Sequence, residues 1–183
     1  MKKILIVSNA LIIGGAEKLI FEIVQFALDN GLQPTVLILE NYQREHYDEI
    51  YKKLGVKVIR TRIQNIVHIR EPIKMIRSIF WSMKLKHFAK STYESLHVIG
   101  LYNSDKIIHT IPHVKRFFWH VNNSVQFYDN LYPYPPDLFG IANDTIVCIN
   151  KYQLEEFRRQ YDMSVFKSRL ILFKLFYNPN DPN

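Results

Sequence analysis

Lys2-Lys3-Ile4-Leu5-Ile6-Val7-Ser8-Asn9 is followed, after four further residues, by Gly14-Gly15-Ala16-Glu17-Lys18, and this stretch decides how the rest of the chain is read. The apolar run Ile4-Leu5-Ile6-Val7 has the length and content of a buried strand. Residues 17–28 carry a helical pattern. A strand that feeds through glycines straight into a helix sets backbone N–H groups and a positive helix end at the carboxyl edge of a sheet, where anions and ligands settle in α/β folds. A tight strand-to-helix turn needs glycine for backbone reasons too. The spacing is not the dinucleotide fingerprint, because no third glycine follows at the required position.

Working outward, residues 16, 19, 20, 23, 24, 27 and 28 are Ala, Leu, Ile, Ile, Val, Ala and Leu, a helical stripe that Gly31 can terminate. Strand-like residues 34–39 come next, then a second helix over 45–54 closed by Gly55, and a third strand over 56–63. Pro72 can open a helix that runs to about residue 90. Residues 96–101, 116–121, 145–149 and 170–177 read as further strands, with a short helix from Asp105. Alternation of this kind predicts an α/β fold, a doubly wound, mostly parallel sheet with helices on both faces. Asn150 is placed to cap a helix over 151–161, with Gln153 reaching back as capping-box partner and Ile149 and Leu154 as a hydrophobic staple. Glu155 and Glu156 would sit near that helix start, where the dipole favours them.

A chain of 183 residues can bury about 70% of the surface its unfolded form exposes, so a full core is available. The single cysteine, Cys148, allows no internal disulfide and points to a reducing compartment. The lysine-led apolar start is read as a strand and not as a secretory signal, because Ser8-Asn9 interrupts it and no small-x-small site precedes Glu17. No apolar stretch approaches the ~20 residues that span a bilayer. A cytoplasmic location is therefore expected. The net charge of +7 favours a nucleic acid, a phosphosugar or an anionic lipid as partner, although a lysine excess is often just a solvated surface. Nucleic acid ranks last, since no motif for it is present.

Residues 2–39 taken together closely resemble the opening of family 4 glycosyltransferases, which have the GT-B fold: a first strand, a Gly-Gly-Ala-Glu turn, an amphipathic helix, a Gly and a second strand follow at this spacing. The resemblance implies a Rossmann-like domain over 1–177, the N-terminal, acceptor-side half of the GT-B architecture. Phe176-Tyr177-Asn178-Pro179 looks like the family's junction, so 178–183 would begin the interdomain linker, with the donor half absent. It also implies a retaining, metal-independent hexosyl transfer from a nucleotide-sugar to a glycan or lipid-linked acceptor in surface polysaccharide synthesis. The donor is a substrate, held mainly by the second domain, and no cofactor is expected. Gly14, Gly15, Ala16 and Glu17 would then face the donor phosphates and the acceptor. The family usually has serine where Asn150 stands, which keeps the capping chemistry but removes a hydroxyl.

Lys115-Arg116-Phe117-Phe118-Trp119-His120-Val121-Asn122 looks like the family's strand that ends in a histidine facing the interdomain cleft, beside the donor sugar and phosphate. This makes His120 the candidate catalytic residue. A histidine at a strand end can donate a hydrogen bond to a sugar hydroxyl or stabilise phosphate charge; it can also be satisfied by backbone alone. The other six histidines have no spacing that demands a metal, and Pro112 weakens a shared helical face for His109 and His113.

Residues 72–90 combine basic side chains with apolar ones, as a helix lying on an anionic membrane would. Ile73, Ile76, Ile79, Phe80 and Met83 form one arc, expected to cover the sheet, while Trp81, Leu85 and Phe88 fall among Arg77, Lys74 and Lys84 on another. Arg77, Trp81, Lys84 and Phe88 are thus offered as a membrane or partner surface, consistent with a peripheral position on the inner face of the membrane. Tyr132-Pro133-Tyr134-Pro135-Pro136 reads as a pocket rim or simple connection, with no catalytic role. The chain carries no Glu-x7-Glu pair, P-loop or evident nucleophile, so the isolated domain is expected to be inactive. The alternative is a non-catalytic, flavodoxin-like module that binds an anionic ligand or a protein partner.

Overall fold

The computed structural model describes residues 1–39, 45–60, 93–100, 114–122 and 136–173, together with residues 76, 79, 80, 83, 85, 86, 107, 108, 111, 132 and 134. Seven strands form one sheet: β1 (Lys3–Ser8), β2 (Gln33–Ile38), β3 (Lys57–Arg60), β4 (Tyr93–Ile99), β5 (Lys115–His120), β6 (Thr145–Cys148) and β7 (Arg169–Leu172). Their order is β3-β2-β1-β4-β5-β6-β7 and every pairing is parallel. The helices are α1 (Gly15–Asp29), α2 (His46–Lys53) and α3 (Lys151–Gln160), with short 3-10 turns at Pro136–Phe139 and Met163–Val165.

The α/β, Rossmann-like arrangement expected from the alternation is therefore present. Its cause is visible in the strands, whose neighbouring apolar residues feed opposite faces. Leu5, Val7, Leu96, Val98, Phe118 and Ile146 join the core on one face, and Ile4, Ile6, Val36, Ile99, Trp119 and Val147 the core on the other. A sheet buried on both sides needs such continuous apolar strands. Helix α1 covers the second face through Leu19, Ile20, Val24 and Ala27, and Tyr51 of α2 joins it. Phe157 of α3 lies on the first.

Helix α1 stops where glycine allows. Gly31 has φ 69, its N–H bonds to the Leu28 carbonyl at 3.0 Å, and Leu32 N–H bonds to that of Ala27 at 2.8 Å, a left-handed closure that other residues adopt at a cost. The first strand runs outward through β2 to β3, after which the chain returns to the far side of β1 as β4. The winding thus reverses between β1 and β4, and their carboxyl ends flank the crevice where ligands of such sheets bind.

Several expectations are corrected. Strand β3 ends at Arg60 among the described residues, β4 starts three residues earlier than expected, and 174–177 of the last expected strand lie outside them. Asn150 does cap α3, accepting from Gln153 N–H at 2.8 Å, but the Gln153 amide oxygen accepts from Ile149 and not from Asn150. The staple is not made: Ile149 and Leu154 pack on opposite faces of the sheet. Glu155 and Glu156 lie beyond the first turn, and Glu156 is buried.

The largest correction concerns the helical residues around 80. Ile76, Ile79, Phe80 and Met83, expected on the sheet, are 64%, 55%, 53% and 65% exposed, whereas Leu85 from the other arc is buried in the first-face core. A helix with apolar residues on two sides can bury only one against a sheet, and spacing does not say which. Arg77, Trp81, Lys84 and Phe88 lie outside the described residues.

Candidate functional site

The carboxyl edge carries both features singled out in the sequence. The loop after β1 rises from Asn9 to Gly14, exposing Ile12 and Ile13 and burying Leu11. Leu11 N–H donates to Oε2 of Glu45 at 2.6 Å, and the same oxygen accepts from Nη1 of Arg60 at 3.1 Å. Arg60 Nη2 also bonds to Asp48, whose Oδ2 accepts from Glu45 N–H at 2.7 Å. One arginine at the end of β3 therefore ties the cap of α2 to the glycine loop. The sequence reading missed this brace, because its members are far apart along the chain.

Gly14 occupies the cap position of α1 with φ −172, extended backbone that any residue adopts, and no side chain caps the helix there. A side chain at Gly14 would displace only the flexible tip of Glu17, and one at Gly15 would displace nothing. An added Cβ on Gly14 would lie 2.6 Å from Oε2 of Glu17, whereas one on Gly15 would meet nothing within 4 Å. Glu17 has folded back over the turn and is buried, with an interaction to its own backbone N–H. Desolvation raises its pKa, the backbone bond opposes that, and nearby Glu45 raises it further. The positive end of α1 thus already holds one carboxylate, and Ala16 beside it is half-buried on the second face.

His120 ends β5 on the same edge, but its side chain points to the opposite face from α1. It is fully buried, not open to a cleft, and the cause lies in the proline-aromatic segment. The imidazole meets Tyr132, Tyr134 and Phe157 edge-on, with ring centroids 4.5, 5.6 and 4.9 Å away. Those three rings stack nearly parallel to one another. Tyr134 Oη lies 2.9 Å from Nδ1 of His120, and Nε2 has no hydrogen-bond partner among the described residues. Burial drives the His120 pKa down to about 3, against the attraction of Glu156. The ring is neutral at any ordinary pH.

Tyr132 is tied to α3 and the turn after it by three bonds. Its hydroxyl donates to Glu156, its N–H donates to Gln160 Oε1 at 3.0 Å, and its carbonyl accepts from the Tyr161 hydroxyl at 2.6 Å. The segment read in the sequence as a pocket rim or simple connection, with no catalytic role, is thus the one that seals the candidate histidine. The alternation of Tyr132 and Tyr134 around a proline was the available signal.

At the opposite edge of the sheet, Arg116 donates from Nε and Nη2 to the two oxygens of Asp144, each at 2.8 Å, and from Nη1 to the carbonyls of Ile108 and Ile111. A hollow of about 700 Å³ lined in part by Lys115, Asn143 and Arg169 lies there. It sits at the strand starts, away from the edge where this fold places ligands, so the glycine turn and His120 outweigh it. Among the described residues no group of three His, Cys, Asp or Glu side chains is placed to hold a metal. Cys148 is buried, and burial pushes its thiol pKa up to about 12, which leaves it inert as a nucleophile.

A seven-stranded parallel sheet with a glycine turn at its switch point defines a Rossmann-like domain, and solved structures share that fold. The chain is similar to sucrose-phosphate synthase from Thermosynechococcus elongatus, with a TM-score of 0.63 and 12% identity over 97% of this chain and 49% of that one. It is also similar to a mutant of TarM from S. aureus in complex with Fondaparinux, alpha-GlcNAc-glycerol and UDP, with a TM-score of 0.62 and 10% identity over 100% of this chain and 63% of that one. Both are glycosyltransferases of the GT-B fold, and the chain shares that fold over about half to two thirds of their length. No protein-family model and no curated protein matches it.

Proposed function

We propose that the chain is the N-terminal, acceptor-side half of a retaining, metal-independent glycosyltransferase of the family 4 type. The observation that carries this reading is the Gly14–Gly15 turn at the carboxyl end of β1, beside the switch point of a Rossmann-like sheet that matches GT-B structures. Open space at Gly15 and the positive end of α1 suit an approaching phosphate of a nucleotide-sugar donor, which shares that end with the Glu17 carboxylate. His120, the sugar-side residue by resemblance, is fully buried here behind Tyr132 and Tyr134, so this reading rests on the glycine turn and not on that ring. The acceptor is a glycan or a lipid-linked glycan, the pathway is surface polysaccharide synthesis, and the donor is held mainly by a second domain. No cofactor takes part.

The exposed strip of Ile76, Ile79, Phe80 and Met83 supports a peripheral contact with the inner, cytoplasmic face of a membrane. These residues stand in a stretch that also contains Lys74, Arg77, Lys84, Lys86 and Lys90. No helix among the described residues is long and apolar enough to cross a membrane.

One glycine turn supplies only a fraction of the contacts a donor needs. Calorimetric titration of the chain with UDP- and GDP-sugars should therefore show weak binding and no transfer, and transfer should follow when the chain is joined to a donor-binding half. Micromolar affinity in the isolated chain would overturn this reading.

A further inference from the structure

Residues 9–13 carry the chain from the end of β1 to the glycine turn. The two ends of this stretch are fixed by backbone bonds: the Ser8 carbonyl accepts from Leu39 N–H at 2.8 Å, and the Gly14 carbonyl accepts from Lys18 N–H at 3.0 Å as α1 begins. Between them, Leu11 is held at three points. Its side chain is buried in the second-face core, its N–H donates to Glu45 Oε2 at 2.6 Å, and its carbonyl accepts more weakly from Tyr47 N–H at 3.5 Å. Only residues 12 and 13 separate this point from Gly14, too short a span to absorb a shift of Leu11 before it reaches the turn. Glu45 in turn is held by Arg60, whose Nη1 donates to the same Oε2 at 3.1 Å while Nη2 donates to Asp48. Two neighbouring acids repel, and the planar guanidinium fork can bond both at once.

We propose that Arg60 is a positioning residue: by clamping Glu45 and Asp48 together it holds Leu11, and through Leu11 it sets the place of the Gly14–Gly15 turn against an approaching phosphate. The proposal rests on the nucleotide-sugar reading for its ligand, but the clamp stands on the geometry of this chain alone. The side chains of Arg60, Glu45 and Asp48 are only 16%, 6% and 15% exposed, so their bonds are little screened by solvent. A buried ion pair is weak evidence for stability, since apolar packing can serve as well; its directional bonds bear on geometry instead. The same guanidinium offsets negative charge beside the turn. Glu45 acts electrostatically on Glu17, whose carboxylate already lies over Gly14, so an uncompensated Glu45 would add to the charge that an anionic ligand meets.

Amide NMR on the chain, with UDP as the probe and well below the unfolding temperature, tests this directly. In the unmodified chain the Leu11 amide should exchange slowly with solvent, and UDP should shift the Gly14 and Gly15 amides in a weak, saturable titration. In Arg60→Gln, Leu11 exchange should quicken and UDP affinity fall, each on the order of tenfold, as expected for loss of a charge-assisted hydrogen bond. Arg60→Lys keeps the charge but reaches one acid at a time, so it should show part of each loss, and it reads the clamp even if Arg60→Gln does not fold. A lysine variant indistinguishable from the unmodified chain would assign the effect to charge and overturn the proposal. A lower melting temperature with unchanged UDP affinity would make Arg60 a structural brace only, and an unchanged Leu11 exchange rate would remove the clamp; either result overturns it too. Failure of UDP to shift Gly14 and Gly15 in the unmodified chain is a different outcome: it sinks the proposed ligand, and the positioning role with it.

Discussion

Gly15→Ala separates a glycine kept for the backbone from one kept for a ligand. Gly15 is the first residue of α1, and an ideal Cβ there meets nothing within 4 Å. Alanine should therefore leave the fold intact and stabilise it by up to roughly 0.5–1 kcal/mol, the usual penalty of glycine in a helix. For a domain of this size that corresponds to a rise of about 1–4 °C in melting temperature. Gly14→Ala is the control. Its Cβ would fall 2.6 Å from Glu17 Oε2, so the carboxylate must swing away and lose its backbone interaction, a cost of about 1 kcal/mol. In the chain joined to a donor-binding half, Gly15→Ala should lower transfer at least tenfold, because the methyl group takes space that a phosphate needs; tenfold corresponds to about 1.4 kcal/mol on the barrier. Thermal melts and initial-rate assays on both variants read the two effects separately. A Gly15→Ala enzyme that is stable and turns over at the unmodified rate would refute the claim that a ligand approaches this turn.

Arg116→Met should destabilise the domain by about 3–5 kcal/mol in urea unfolding, since it strands the buried Asp144 carboxylate. Adding Asp144→Leu should restore most of the loss, and failure to do so would assign the cost to the buried Ile108 and Ile111 carbonyls that Arg116 also binds. Stability should also fall with acid through His120 and His97, whose burial drives their pKa values from 6.5 down to about 3 and about 4. Below pH 6.5 the unfolded chain takes up protons that the folded chain refuses, so each histidine removes up to about 1.4 kcal/mol per pH unit until its folded pKa is reached; equal urea midpoints at pH 7 and pH 5 would contradict this. For the exposed strip, sedimentation with anionic vesicles should be strong at low salt, weaken at high salt, and be lost in Ile79→Glu/Met83→Glu; equal partitioning to neutral vesicles, or none to either kind, would remove the membrane contact.

How much of this was legible depends on how far apart the deciding residues lie. The strand, glycine turn and helix at the start were readable because each element is specified by its own residues: Ile4 to Val7 by composition, Leu19 to Ala27 by period, and the end of α1 by Gly31. The capping of α3 by Asn150 was readable for the same reason, while Gln153 instead bonds Ile149 N–H and the Asn122 carbonyl, and Ile149 and Leu154 fall on opposite faces of the sheet. Around residue 80 the pattern offered two apolar arcs, and only Leu85, packed with the cluster that holds Leu96 and Val98, shows which one the sheet takes. The site was half legible. A histidine at the end of an aromatic strand is a local signal, but its concealment comes from Tyr134, fourteen residues on, and from Phe157, beyond a further strand. The same distance explains why Glu45 and Arg60 went unnoticed beside the glycine turn. Both omissions point the same way: local pattern names the groups that can act on a ligand, and contacts across the sheet decide which of their atoms are free to do so.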